Sequence, residues 1–265
     1  MPSFLDLMLT ASIAASKVIL DVYARPIEAT HKSDGSPVTE ADQRAEAEIL
    51  AHLAAAGLPV LAEESVAAGR IPALGQRYFV VDPLDGTKEF ISGKDDFTVN
   101  IALIRNGVPV AGVVYAPCRG QAWTGKDDSA EKLAISGEGA ILARHPIRAR
   151  QRGASPVALI SRSHCTAKTE AFVAEHGLKD CISVGSSLKF CILAEGAADI
   201  YPRFSRTMMW DTAAGDAVLR AAGGRTLDCE GRLLAYEVRG DGEDALANPD
   251  FIAEGAMALA ADIAR

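Results

Sequence analysis

The chain opens on helical spacing. From residue 3 to 23 apolar side chains recur with the turn of a helix, and Asp6, Lys17 and Asp21 fall where the wet side of an amphipathic helix would lie. Residues 27–38 are polar and rich in turn formers, which predicts an exposed loop. Thr39 then opens a second helix as N-cap, with Asp42 in the place of the capping-box acid, and the pattern runs to about Ala56 before Gly57.

After Gly57 the spacing becomes that of strands. Residues 59–62 and 78–81 are short apolar runs, and residues 97–104 and 108–115 flank Asn106-Gly107, a strong hairpin signal. Residues 121–125 and 130–135 add two strands, with Gly137-Glu138-Gly139 as the turn behind them and a short helical turn at 88–91. These pieces predict an antiparallel sheet with the two N-terminal helices against one face, an α+β half. From about Arg144 to Pro156 the composition turns basic, polar and proline-containing, which divides the chain into domains 1–150 and 151–265. In the second half strands (157–160, 181–184, 198–202, 227 and 233–236) alternate with helices (167–176, 188–195, 211–222 and a closing one at 251–263), an α/β pattern.

The apolar run 78–81 ends at once in Asp82-Pro83-Leu84-Asp85-Gly86-Thr87. Pro83 cannot donate to a sheet ladder, so the chain is expected to leave the sheet there. Asp82 and Asp85 then flank one bend with the Leu84 carbonyl between them, hard oxygen donors of the kind Mg²⁺ takes, and one carboxylate can bridge two ions. Gly86 and Thr87 can turn their N–H groups to an anion. The stretch reads as a metal pair beside a phosphate seat; an Asp-Pro turn followed by an Asp cap uses the same residues.

Other candidates carry their own alternatives. Glu63-Glu64 follows an apolar run, and adjacent acids repel unless a cation sits between them, so the pair is either a metal donor or a solvated loop. Gly185-Ser186-Ser187, between a strand and a helix, either presents N–H groups to a phosphate or caps the helix. Asp211 is expected at the N-cap of a small-residue helix that packs closely. Asp42, taken alone, is an acid stabilised in a first helical turn.

Composition narrows the function. With 265 residues, 49% of them apolar, the chain fits one large domain or two moderate ones and is not disordered. A net charge of -8 with no basic stripe argues against binding a nucleic-acid polymer, so a phosphorylated ligand must be met by metals and a few cations. Five cysteines without a C-x-x-C pair fit neither a disulfide framework nor a zinc site and point to a reducing cytosol. The N-terminal stretch lacks a basic n-region and is read as a helix in place, and no stretch is long and apolar enough to span a bilayer.

Taken in order, Glu63-Glu64, Asp82 through Thr87 and Trp210-Asp211 resemble the motif set of the inositol monophosphatase superfamily of Mg²⁺-dependent, lithium-sensitive phosphatases. The flanks are similar to its CysQ-type 3′(2′),5′-bisphosphate nucleotidases: residues 32–39, 82–90, Ser161-Arg162-Ser163-His164, residues 185–190 and Tyr201-Pro202-Arg203-Phe204. The likeness spans roughly residues 3–260. It implies a layered αβαβα sandwich and two or three Mg²⁺ ions held by Glu63, Asp82, the Leu84 carbonyl, Asp85 and Asp211, with Asp82 bridging. It implies that Asp42 and Thr87, with Glu63, orient and deprotonate the attacking water. The substrate would lie against Leu84, Asp85, Gly86, Thr87 and Asp211, with Gly185, Ser186, Ser187, Lys189 and Arg203 holding its remainder.

The expected substrate is adenosine 3′,5′-bisphosphate, with 3′-phosphoadenylyl sulfate second. No cysteine is followed six residues later by arginine and no D-x-D-x-T occurs, so direct attack by a metal-activated water remains. Two departures touch the substrate side: Met209 stands where relatives often carry an acid, and Ser205-Arg206 where they carry Gly-Pro. The acid that inositol phosphatases use between Tyr201 and Trp210 is absent. The competing readings are an inositol or sugar monophosphatase on the same scaffold and a non-catalytic metal- or nucleotide-binding regulator. A monomer and a homodimer both stay open, as does peripheral contact with the inner membrane.

Overall fold

A computed structural model describes residues 3–32, 35, 37–162, 165–238, 240 and 242–256. Ser3 caps α1 (Phe4–Tyr23), its hydroxyl accepting from Asp6 N–H while the Asp6 carboxylate accepts from Ser3 N–H. The segment expected as a loop contains a small hairpin of β1 (Ala29–His31) and β2 (Pro37–Thr39). Its β1 residues are all exposed, so no apolar alternation announced it. Thr39 caps α2 (Glu40–Leu53), extended by a 3-10 turn at Ala54–Ala56 and stopped by Gly57 in the left-handed region.

β3 (Val60–Ala62) leads into a short helix, α3 (Glu63–Ala67), and β4 (Arg77–Asp85) into another, α4 (Thr87–Ile91). β5 (Thr98–Arg105), β6 (Val108–Ala116), β7 (Gln121–Lys126), β8 (Ser129–Ile135) and β9 (Ile141–Pro146) complete an ordered seven-stranded sheet, β3 to β9. Only the β3–β4 pair in it is parallel. The Asn106-Gly107 turn has both residues at positive φ, as a tight hairpin requires. β9 had no strand signal because, as an exposed edge, it has no buried face to alternate against.

The second sheet is built from β10 (Val157–Ser161), α5 (Ala167–Glu175), β11 (Asp180–Val184), α6 (Leu188–Ala194), β12 (Ile200–Arg203), α7 (Met209–Ala221), β13 (Arg225–Asp228) and β14 (Phe251–Glu254). Its order is β11-β10-β12-β14-β13, with β10 parallel to both neighbours and β14 antiparallel to both of its own. Two expectations fail here. Residues 251–254 form an interior strand, with Phe251 and Ala253 turned into the core, and not the start of a closing helix; residues 257–263 of that expectation lie outside the described ones. Leu233 makes a single bridge to Leu227 rather than a strand.

Two cores separate the layers. One joins α1 and α2 to the near face of the seven-stranded sheet, through Met8, Ile19, Ile49, Phe79, Val99 and Ile101. The other fills the space between the two sheets with α6 and α7, through Val80, Ala102, Phe190, Trp210, Ala214 and Phe251. α5 covers the outer face of the second sheet at Ile200, completing an αβαβα stack. Alternate residues of β5 face different cores, so Asn100 shares the α7 side with Ala102 and Ile104.

Candidate active site

Asp82 and Asp85 sit on one strand that does not stop at Pro83. Asp82 pairs with Asn100 and Asp85 with Thr98 on β5, the register slipping between them, so β4 absorbs Pro83 and Leu84 as a bulge and continues. The chain therefore leaves the sheet at Asp85, which corrects the exit expected at Pro83. Asp82 Oδ1 accepts from Leu84 N–H at 3.0 Å and folds the bulge around its own carboxylate.

Asp211 is brought to them by α7. A Cβ on Gly112 of β6 would lie 2.4 Å from the Ala214 carbonyl oxygen, one on Gly125 of β7 would lie 2.6 Å from Val218 Cα, and one on Gly215 would lie 2.7 Å from Phe190. Bare glycine backbone lets α7 rest on the sheet at Gly112 and Gly125 and lets α6 pack against it at Gly215. Asp211 is the third residue of α7 and not its N-cap, the cap being Met208; its Oδ2 accepts from Met208 N–H at 2.8 Å. Carboxylate oxygens of Asp82, Asp85 and Asp211 all lie within 4.8 Å of one another, a group that could hold a metal ion.

Asp85 is the most constrained of the three. Its Oδ2 accepts from Ser187 N–H at 2.6 Å, from Ser187 Oγ at 2.9 Å and from Asn100 Nδ2 at 3.3 Å. In each of the three acids one oxygen is thus tied to a backbone N–H while the other has no hydrogen-bond partner among the described residues.

Glu63 and Glu64 open α3, and the cation their adjacency called for is Lys32, whose Nζ lies 2.6 Å from an Oε1 of each. Buried Glu46, one turn beyond Asp42 on α2, caps this helix, accepting from Glu64 N–H at 2.7 Å and Ser65 Oγ at 2.6 Å. Asp42 takes Thr39 N–H and Oγ1 on one oxygen, each at 2.7 Å, and Thr87 Oγ1 on the other at 3.1 Å. The Thr87 hydroxyl also lies 3.2 Å from the Leu84 carbonyl. Gly86 has φ +97°, and a Cβ there would lie 3.1 Å from the Asp96 carbonyl, so the turn into α4 requires glycine.

A cleft of about 530 Å³ opens on this group. Of the expected site residues, Glu63, Asp82, Leu84, Asp85, Gly86, Thr87, Gly185, Ser186, Lys189, Arg203 and Asp211 line it, while Asp42 and Ser187 stand behind. Ser186 has φ +47°, unusual for a residue with a Cβ, and its buried Oγ has no partner among the described residues. The same holds for Nε of the buried Arg203. Lys189, buried in α6, donates to the Ser186 carbonyl at 2.5 Å and the Val184 carbonyl at 3.2 Å. Arg206 is on the rim, paired with exposed Asp244 at 2.6 Å. Ser163 and His164 of the similar motifs lie outside the described residues.

With this geometry in hand, the sequence matches the inositol monophosphatase family over residues 3–264. The chain belongs to that family. It is 42% identical over 241 residues to the 3′(2′),5′-bisphosphate nucleotidase CysQ of Escherichia coli K12, covering 89% of this chain and 94% of that protein. It is 43% identical over 249 residues to the CysQ of Salmonella typhimurium, with the same coverage. The crystal structure of CysQ from Bacteroides thetaiotaomicron, a bacterial member of the inositol monophosphatase family, superposes with a TM-score of 0.80 at 37% identity, over 96% of this chain and 98% of that one. The Thermotoga maritima inositol monophosphatase shares the fold at a TM-score of 0.75 and 22% identity, over 95% of this chain and 91% of that one.

In this member of the inositol monophosphatase family, the acids are held away from their usual ionisation. Burial, then the charges of Glu63, Asp85 and Asp211, pushes Asp82 well up. Burial lifts Glu63 to about 8 against the pull of Lys32, and lifts Asp211 to about 7, with Asp85 adding to it. Asp85 is raised by burial against Lys189 and Ser187, and Asp42 by burial against the hydrogen bonds from Thr39 and Thr87. Lys189 is lowered to about 8 by burial, which Asp85 opposes. Lys32 is raised: burial works against its charge, and Glu63 and Glu64 outweigh that.

Four residues of the site were not singled out from sequence. Asn100 was legible as an amide inside the apolar run 97–104, and Glu46 as an acid four residues after Asp42. Lys32 entered only as the first residue of the similar stretch 32–39, and Asp96 left no signal. Buried Asp96 pairs with Arg119 and Arg162, and its carbonyl backs both Gly86 and Gly185, where added Cβ atoms would lie 3.1 and 3.2 Å from it.

Proposed function

We propose that the protein is a Mg²⁺-dependent 3′(2′),5′-bisphosphate nucleotidase that hydrolyses adenosine 3′,5′-bisphosphate to AMP and phosphate, with 3′-phosphoadenylyl sulfate as a second substrate. The observation that carries this reading is one cleft lined both by three convergent carboxylates, Asp82 buried and Asp85 and Asp211 half-buried, and by the cations Lys189 and Arg203. The donor chemistry fits the ion: the group is all oxygen, without thiol or imidazole, and each acid keeps one oxygen disengaged. The raised carboxyls are those of acids that lack the counter-charge a divalent cation supplies. Glu63 and the Leu84 carbonyl line the same cleft and complete the proposed ligand set.

When bound, Mg²⁺ would lower the pKa of a water and offset charge on the departing oxygen. The chain supplies the rest. Thr87, hydrogen-bonded to Asp42, turns a lone pair of Oγ1 toward the water and passes its own proton to Asp42 Oδ1 as it takes the water's. A carboxylate raised by burial suits the accepting role. Gly86 and Thr87 N–H groups hold phosphoryl oxygens. Lys189, Arg203, Gly185 and Ser186 receive the second phosphate and the nucleoside, which would pair the orphaned Ser186 Oγ and Arg203 Nε. In this reading residues 1–150 and 151–265 are two domains that meet at this cleft. The setting is a reducing cytosol, which suits the five free cysteines. Among the described residues no helix is long and apolar enough to cross a membrane.

The test is phosphate release from adenosine 3′,5′-bisphosphate beside inositol 1-phosphate, with and without Mg²⁺ and Li⁺. Mg²⁺-dependent, lithium-inhibited release that favours the bisphosphate is expected. Preference for inositol 1-phosphate would make the protein an inositol monophosphatase, and no release from either would leave a binding protein.

A further inference from the structure

Ser187 looks from sequence like part of a phosphate-binding turn, yet its surroundings are those of a brace. It is 2% exposed and does not line the cleft. Its N–H is committed to Asp85 Oδ2 at 2.6 Å, and its Oγ lies 2.9 Å from the same oxygen and 2.8 Å from the Asp211 carbonyl. A serine hydroxyl has one proton, so its direction depends on what donates to Oγ. Asn100 Nδ2 does so at 2.9 Å, while reaching Asp85 Oδ2 at 3.3 Å. The remaining proton of Ser187 can then point only to Asp85 or to the Asp211 carbonyl, both part of the acid group's frame. Asn100 Oδ1 is buried without a partner among the described residues, so the amide is there as a donor.

We propose that Ser187, directed by Asn100, is a positioning residue that fixes Asp85 relative to the first turn of α7, and is not a contact for the substrate. This rests on the metal-dependent reading above. Asp85 belongs to the first sheet and Asp211 to the helix between the sheets, so their spacing is not set by either element alone. One side chain spans the gap. It occupies Oδ2 of Asp85 and leaves Oδ1 available to an ion that the acids would hold, the task of an outer-shell partner. The hydroxyl of Ser187 supplies no group to the phosphoryl or the nucleoside.

The test measures Mn²⁺ binding by electron paramagnetic resonance in the full chain and in Ser187→Ala, Asn100→Ala and the double variant. Urea unfolding of the metal-free proteins and the KM for adenosine 3′,5′-bisphosphate at saturating metal accompany it. Each single change should weaken Mn²⁺ binding by roughly 10-fold or more, as loss of an outer-shell partner does. The double variant should be little worse than either, because both residues act on one carboxylate oxygen. KM at saturating metal should stay within about twofold. Unchanged Mn²⁺ affinity in both single variants overturns the proposal, as does a raised KM with unchanged Mn²⁺ affinity, which would put Ser187 on the substrate. Ser187→Thr keeps both donors and should keep the metal, which guards against a mere failure of Ser187→Ala to fold. If the unaltered protein binds no Mn²⁺, it is the metal-dependent reading that has failed.

Discussion

Asp82 is buried at the centre of a group of like charges, and its ionised form is disfavoured first by desolvation and then by Glu63, Asp85 and Asp211. Replacing it with Asn removes that repulsion while keeping the shape of the bulge. Asp82→Asn should therefore raise the unfolding midpoint of the metal-free protein, abolish the further rise on adding Mg²⁺, and lower turnover by roughly 100-fold or more. Calorimetry with and without Mg²⁺, beside phosphate release, checks all three; near-normal turnover would remove Asp82 from the ligand set. Arg203, buried with its Nε unpaired among the described residues, calls for an anion. Arg203→Ala should raise KM for the bisphosphate more than about tenfold while barely changing that for an inositol monophosphate; equal effects would mean that it reads no second phosphate. At this scale the residue types were legible, because paired acids after a strand have few uses. The partners were not: Lys32 lies thirty-one positions from Glu63, and Ser187 lies 102 from Asp85.

Helix α7 decides where Asp211 goes, and the sheet beneath decides where α7 goes. The small residues after Asp211 announced close packing, but the complementary notch is made by Gly112 and Gly125 on other strands, which no local pattern links to the helix. Gly112→Ala would put a methyl against the Ala214 carbonyl, lift the first turns of α7, cost about 1–3 kcal/mol and weaken metal binding with it. Gly125→Ala meets the helix at Val218, about 10 Å along the axis from Asp211 at 1.5 Å per residue, so it should destabilise with little effect on the metal. Urea unfolding and Mn²⁺ titration of the two variants separate the effects; equal loss of metal binding would refute the local account. Elements were misread where pairing overrode local pattern. Pro83 sits inside β4 because a bulge accommodates it, and residues 251–254 are a strand because β12 and β13 take them up between them.

Across the whole molecule the acid group joins one sheet to the helix layer behind it, so its charge state bears on stability. Glu63 is raised to about 8 and Asp211 to about 7, both above the values of an unfolded chain. Between those limits the folded protein binds more protons than the unfolded one, so stability falls as pH rises. The metal-free protein should accordingly lose stability from about pH 4 to pH 8, and saturating Mg²⁺ should flatten or reverse the slope, since the ion favours the ionised acids. Urea midpoints across that range, with chelator and with Mg²⁺, test it; a metal-free slope of the opposite sign would mean that the carboxyls are not held protonated.

The sequence by itself determined the first two helices with the Thr39 cap, the Asn106-Gly107 hairpin and the acids that converge, because capping, periodicity and turn chemistry act over a few residues. Only the tertiary structure decided that Asp85 and Asp211 meet, that Lys32 bridges the glutamates and that Ser187 faces the acids instead of the cleft. Those distances are set by how two sheets close on one helix, and glycines distant in the chain control that closure.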